Sequence, residues 1–186
     1  VLVLSNVVLI NKNERAPITI TSYVSVARMS LDDLISQADL IVIGEFTSFR
    51  PGRWSTPNGE LPESATLESV SRQHLVIFTD VDFHADQFLK ADRNSPILRV
   101  RIFGGQAGQD SMIISSEPTI TAGKTYLLFL YQDTGSTASI DPGDFLILGG
   151  IQGTYEIMGN EAISADDKWV LEDLVIYIQN ALQSSQ

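Results

Sequence analysis

Residues Arg101–Asp110 read RIFGGQAGQD, an apolar run followed by two adjacent glycines, two residues and a third glycine. Two structures compete for this pattern. If a helix opens after Gly108, the glycines cradle a phosphate at its N-terminus and the chain is a nucleotide protein. If a strand follows, they only turn a ribbon, supplying the positive-φ positions that hairpins require. The text after Gly108 is QDSMIISSEPTI, rich in β-branched residues and interrupted by Pro118. No helix opens there, so the phosphate reading fails.

LILGGIQGTYEI from Leu146 repeats the layout, and both stretches are expected to be strand–turn–strand units. TAGKT at Thr121–Thr125 carries the tail of a P-loop, but Pro118 stands where the leading glycine belongs and an apolar β-like run follows. It is expected to be a turn.

Working outward, strands are expected at Leu40–Phe49, within Leu75–Leu89, and at Ile97–Phe103, Ser111–Ser116, Thr125–Tyr131, Phe145–Leu148 and Thr154–Met158. All but the second are short, and glycine, proline or aspartate separates them. The pattern is that of a meander or small barrel rather than of βαβ units. Ser30, with Asp33 three residues on and Leu31, Leu34, Ile35 and Ala38 at helical spacing, marks a short helix over Leu31–Gln37. Arg50 to Gln73 forms a long excursion, in which PESATLESVSR supplies a helical turn or two with Pro62 at its start. From Asp166 the stripe Val170, Leu171, Leu174, Val175, Ile178 and Leu182 predicts a C-terminal helix over 166–183.

The fold class is therefore mainly β: one domain over 1–186, an antiparallel OB-like barrel with its core at 30–158, a short N-terminal helix and a C-terminal helix packed on it. Residues 1–29 form an N-terminal arm or strand. In its first ten residues, VLVLSNVVLI, eight are apolar. As a helix these ten span only about half of a bilayer core. They are read as a strand or packed arm, or as the remainder of a signal or anchor core.

Twelve basic residues against 23 acidic ones give a formal net charge of -11, which repels nucleic acid and anionic lipid. The absence of cysteine excludes disulfides, thiol nucleophiles and thiolate zinc sites. Only His74 and His84 are available as imidazole bases, and no nucleophile elbow or metal-binding helix accompanies them. No catalytic residue, metal ligand or cofactor is assigned.

Two clusters remain. Asp80, Asp82, His84 and Asp86 share one face of a strand, with neighbours about 7 Å apart. They are either a solvated face or a site where pairs share a cation. In the loop FRPGRWSTPNG, Arg50, Arg53 and Trp54 are of the types enriched at binding hot spots. They form either a ligand-binding surface or a segment folded onto the barrel, with Trp54 inside and the arginines paired to surface acids.

ADLIVIGEF, FTDVDFHADQFLKAD, RVRIFGGQAG, PTITAGKTYLLFL and GGIQGTYEI together resemble a poorly characterised family of bacterial exported or cell-surface domains over roughly Ser30 to Met158. Phe78 and Ala91 stand where the family's motifs have tyrosine and glycine. The family is similar in layout to OB-like barrels and to netrin-like modules, the fold of the tissue inhibitors of metalloproteinases. Those inhibitors need an N-terminal cysteine and disulfides that this chain lacks, so the resemblance carries over no inhibitory activity and no site residues. The resemblance implies an exported or cell-surface, extracytoplasmic domain. With so thin a catalytic inventory and no segment long enough to span a bilayer, the chain is expected to be a non-enzymatic binding module for a protein or small-molecule ligand, acting through surface loops such as Arg50 to Gln73, with no membrane span in this chain. The alternatives are a metal-dependent hydrolase using Asp80, Asp82 and His84, and an assembly domain that forms a homodimer through its N-terminal arm.

Overall fold

The computed structural model describes residues 15–91, 93–132 and 144–184. VLVLSNVVLI, the stretch expected in one alternative to serve assembly, lies outside them. The first described strand is β1 (Thr19–Ser22), and the helix α1 (Leu31–Gln37) follows with the expected capping box of Ser30 and Asp33. Next come β2 (Leu40–Phe49), β3 (Arg53–Trp54), α2 (Leu67–Arg72), β4 (Ile77–Lys90) and β5 (Ile97–Phe103). β6 (Gly105–Ala107), β7 (Asp110–Ile114), β8 (Thr125–Gln132) and β9 (Phe145–Ile147) complete the central part. β10 (Thr154–Met158), β11 (Glu161–Ile163), β12 (Lys168–Val170) and α3 (Leu171–Ser184) end the chain.

Five strands close into a barrel in the cyclic order β2, β4, β5, β9, β8. Every contact in this ring is antiparallel except the seam between β5 and β9, a parallel pairing of Val100 with Phe145 and Arg101 with Leu146. Leu40, Val42, Phe46, Val81, Phe83, Leu98, Val100, Leu128 and Leu130 fill its interior. This is the expected OB-like barrel.

The run TYLLFLYQ lacks a polar face because β8 is covered on both sides. Leu128 and Leu130 point into the barrel, whereas Leu127 and Phe129 pack outward with Ile41 against Leu34 and Ile35 of α1 and Leu174 and Ile178 of α3. α1 is only seven residues long, and its last carbonyls, Ile35 O and Ser36 O, accept hydrogen bonds from Lys90 Nζ at the far end of β4. A cation from a neighbouring strand thus completes a helix with no basic residue in its own last turn.

The glycines of the opening stretch bend the chain out of the barrel. Gly104 and Gly105 have φ of +101° and +114°, after which β6 and β7 pair across Gly108 and Gln109. The hairpin continues into a second, three-stranded sheet, because β1 lies parallel to β7 with Thr19 opposite Ser111. The other glycine pair behaves differently. Gly150–Gly153 is a 3-10 turn, and β9 and β10 each pair with β8 rather than with one another. Shared spacing therefore did not bring shared geometry.

The excursion's helix starts at the Thr66 cap rather than at Pro62, since Thr66 and Ser69 form a capping box. The C-terminal helix likewise starts at Leu171 and not at Asp166. Ser164 Oγ accepts the N–H groups of Asp166 and Asp167 in a tight turn, which returns Lys168–Val170 as a strand beside β11. β-branched and aromatic character in KWV favours that strand over another helical turn.

Ala91, where the resembled motif has glycine, takes φ of +57°. A left-handed conformation costs a non-glycine residue about 1–2 kcal/mol. Glycine would relieve that strain and give back part of the gain through its freer unfolded chain. Ala91→Gly is expected to raise the unfolding free energy by about 0.5–1 kcal/mol, as measured by urea denaturation.

Candidate functional site

The acidic stripe on β4 faces an arginine stripe on β5. In the strand register Asp80 lies opposite Arg101 and Asp82 opposite Arg99. Arg101 Nε and Nη2 donate to Asp80 Oδ1 and Oδ2 at 2.7 and 3.1 Å, and Nη2 also donates to Asp144 Oδ2 at 3.0 Å. Arg53 Nη2 reaches Asp80 Oδ2 at 2.9 Å, while Arg50 Nη2 lies 3.5 Å from Asp82 Oδ1. Asp80 and Arg101 are buried rather than solvated, and the guanidiniums of Arg101 and Arg53 lie 4.1 and 4.6 Å from the centre of the Phe78 ring. The Phe78 ring face offers both cations an electrostatic contact.

Burial works against the Asp80 charge, but Arg101 and Arg53 hold its carboxyl below the usual range. His84 Nδ1 is 3.3 Å from Asp86 at the exposed end of the stripe. These residues are therefore divided among separate ion pairs, and among the described residues no group of three could hold a metal ion.

The long excursion is a built wall. Trp54 N–H donates to Gly59 O at 2.9 Å, Ser55 N–H donates to Val76 O at 2.8 Å, and the Trp54 indole is 1% exposed. Its Nε1–H donates to Asp110 Oδ2 at 2.9 Å. Asp110 also accepts from Ile18 N–H at 2.9 Å and forms a two-point ion pair with Arg15. Burial opposes the charge on Asp110, and these three donors together keep its carboxyl below the ordinary value. One carboxylate thus ties the N-terminal segment, the excursion and the β6–β7 hairpin together.

Of the three loop residues, Trp54 belongs to this core, Arg50 stands on the outer face beside Asp82, and Arg53 lines a cleft of about 510 Å³. The cleft runs between loop residues 51–63 and the β6–β7 turn, and Arg15, Asn58, Glu60, Leu61 and Gln109 also line it.

A second concavity, of about 460 Å³, opens at one mouth of the barrel. Val81 and Ile102 reach it from β4 and β5, Met112 and Ile114 from β7, and Pro118 and Ile120 from the segment before β8. Glu117 sits in this apolar wall. Burial pushes its carboxyl up to about 7, although Phe103 N–H donates a hydrogen bond to it. Among the described residues no lysine, arginine or histidine forms an ion pair with Glu117. In SSEPTI nothing distinguished this glutamate from a surface residue.

No family model matches the chain, and no curated protein matches it by sequence.

Two stability effects follow. Arg101→Met removes the buried cation shared by Asp80 and Asp144, leaving Asp80 with Arg53 and Asp144 with Arg99 at 3.8 Å, and should lower the unfolding free energy by about 3 kcal/mol in urea titrations at pH 7. For Glu117 the folded carboxyl binds its proton more tightly than the unfolded one, so stability falls as pH rises from about 4.5 to about 7. Glu117→Gln should match the native protein at pH 4 and exceed it at pH 8 by up to about 3 kcal/mol, with paired denaturation curves as the check. Asp80 and Asp110 act with the opposite sign, their contribution being lost as pH falls below the ordinary aspartate range.

Proposed function

We propose that the protein is a non-enzymatic, exported binding module that recognises a polar protein segment through the cleft between residues 51–63 and the β6–β7 turn. The observation carrying this reading is the fixed backbone of the excursion. A loop anchored by a buried indole and by hydrogen bonds to Gly59 and Val76 loses little further freedom when a partner binds. The lining carries both signs of charge, with Arg15 and Arg53 facing the same space as Glu60 and Glu63, next to the apolar Leu61 and Pro51. Such mixtures suit polypeptide ligands, whose backbone and side chains offer donors, acceptors and small apolar groups together. Export rests on the motif resemblance alone.

The role given to Asp80 is structural: its oxygens are engaged by two arginines, which supports binding over metal-assisted hydrolysis on that face. Among the described residues no helix is long and apolar enough to cross a membrane.

Peptides selected by display on the folded protein should shift amide resonances of residues 51–63 and 107–110. Asn58→Trp, which fills the cleft, should weaken them at least tenfold, about 1.4 kcal/mol, while Glu172→Lys on α3 should leave them unchanged. Selected peptides that bind Asn58→Trp as well as the native protein would overturn the assignment.

A further inference from the structure

We propose that the barrel-mouth groove is a second ligand site, taking a small apolar amine whose ammonium group pairs with Glu117 and whose hydrocarbon body lies along Val81, Ile102, Met112 and Ile120. The site is separate from the loop cleft and shares no lining residue with it.

Three observations converge on this occupant. The groove has the volume of a small-molecule site, about 460 Å³, and it lies where barrels commonly bind ligands, at the mouth. Its lining is aliphatic and aromatic apart from a few neutral polar groups of Thr79, Gln106, Ser111 and Thr119, which leaves Glu117 as its single titratable side chain. β2 contributes Phe49, β4 Thr79 and Val81, β5 Ile102 and Phe103, β6 and β7 only glycine, neutral polar and apolar residues, and the segment before β8 Pro118, Thr119 and Ile120 beside Glu117 itself. No cation from any of these elements balances the carboxylate.

A partly desolvated carboxylate without a counter-charge is costly to the fold, and an ammonium ion removes that cost while forming a charge-assisted hydrogen bond. An alcohol would gain only a neutral hydrogen bond, and a carboxylic acid would meet repulsion. The backbone N–H of Phe103, at the end of β5, favours the ionised form of the carboxyl, which lines the groove a ligand would enter. The apolar walls explain why a bare ammonium or metal ion is a poorer fit: most of the groove area is gained only by a hydrocarbon body.

The pH dependence has a definite sign. An alkylamine stays protonated across the neutral range, whereas the free Glu117 carboxyl changes from mostly neutral at pH 6 to mostly ionised at pH 8. Apparent affinity should therefore rise with pH.

Hexylammonium, hexanol and hexanoate serve as probes, with binding followed by titration calorimetry and by the groove's methyl resonances. Hexylammonium should bind at least tenfold more tightly than hexanol at pH 8, hexanoate should bind least, and the hexylammonium affinity should fall about tenfold between pH 8 and pH 6. Glu117→Gln should abolish both the preference over hexanol and the pH dependence. Ile120→Trp, which fills the groove and leaves the carboxyl in place, should exclude all three probes. Circular dichroism and urea curves establish that both variants are folded. Equal binding of hexylammonium and hexanol, a preference that survives Glu117→Gln, or resonance shifts confined to the loop cleft would each overturn the proposal. Peptide binding at the loop cleft is read separately and neither rescues nor harms it.

Discussion

The barrel closes at its narrowest seam. β5 and β9 share two residue pairs, and Arg101, one of the four residues involved, carries a guanidinium that joins Asp80 on β4 to Asp144 just before β9. A buried ion pair of this kind seldom adds much net stability, because removing both charges from water offsets most of their attraction. Its strength lies in what it forbids. Sliding β9 by one residue would turn every inward side chain outward and strand a charge in an apolar wall. Register at the point of closure is thereby tied to an electrostatic match, and the strands that carry the rest of the barrel inherit it.

Much of the architecture could be read from the chain because local chemistry and global fold agree there. β-branched runs bounded by glycine, proline and aspartate became strands, and the bounds of β2, β5 and β10 fell where the pattern put them. The capping box at Ser30 worked because its partners are three residues apart and need nothing else. What escaped were features made by distant partners. Arg99 and Arg101 stand two apart, as do Asp80 and Asp82, and pairing the two stripes across neighbouring strands would have revealed the ladder; taken alone, the acids looked like a solvated face. β1 and β12 were missed because each is defined by the strand beside it rather than by its own composition. Glu117 carries no local sign of burial at all, since its surroundings come from five separate strands and the segment before β8.

The two concave surfaces differ in how they are built. The loop cleft rests on Trp54 and Asp110, a buried aromatic anchor and a carboxylate with every lone pair directed at a donor, so its shape is set before any partner arrives. At the barrel mouth the core simply runs out: Val81 and Ile102 continue the interior packing up to an opening where the next layer is absent. The first kind of surface favours selectivity through fixed polar positions. The second favours uptake of apolar volume, with one charge deciding what may enter.

The parallel contact between β1 and β7 joins residues 92 positions apart, since Thr19 lies against Ser111. On a growing polypeptide, the earliest of the described strands must wait for its template until the hairpin beyond Gly108 has been made. Loop closure over such a span is slow compared with hairpin pairings such as β4 with β5, and within the barrel the pairing of β2 with β8 spans nearly as much, Leu40 lying opposite Leu130. Arg15 and Ile18, which meet Asp110 in the finished molecule, find their places only once that hairpin exists. Both sheets thus wait on strands made in the second half of the chain, the smaller one on β7 and the barrel on β8 and β9.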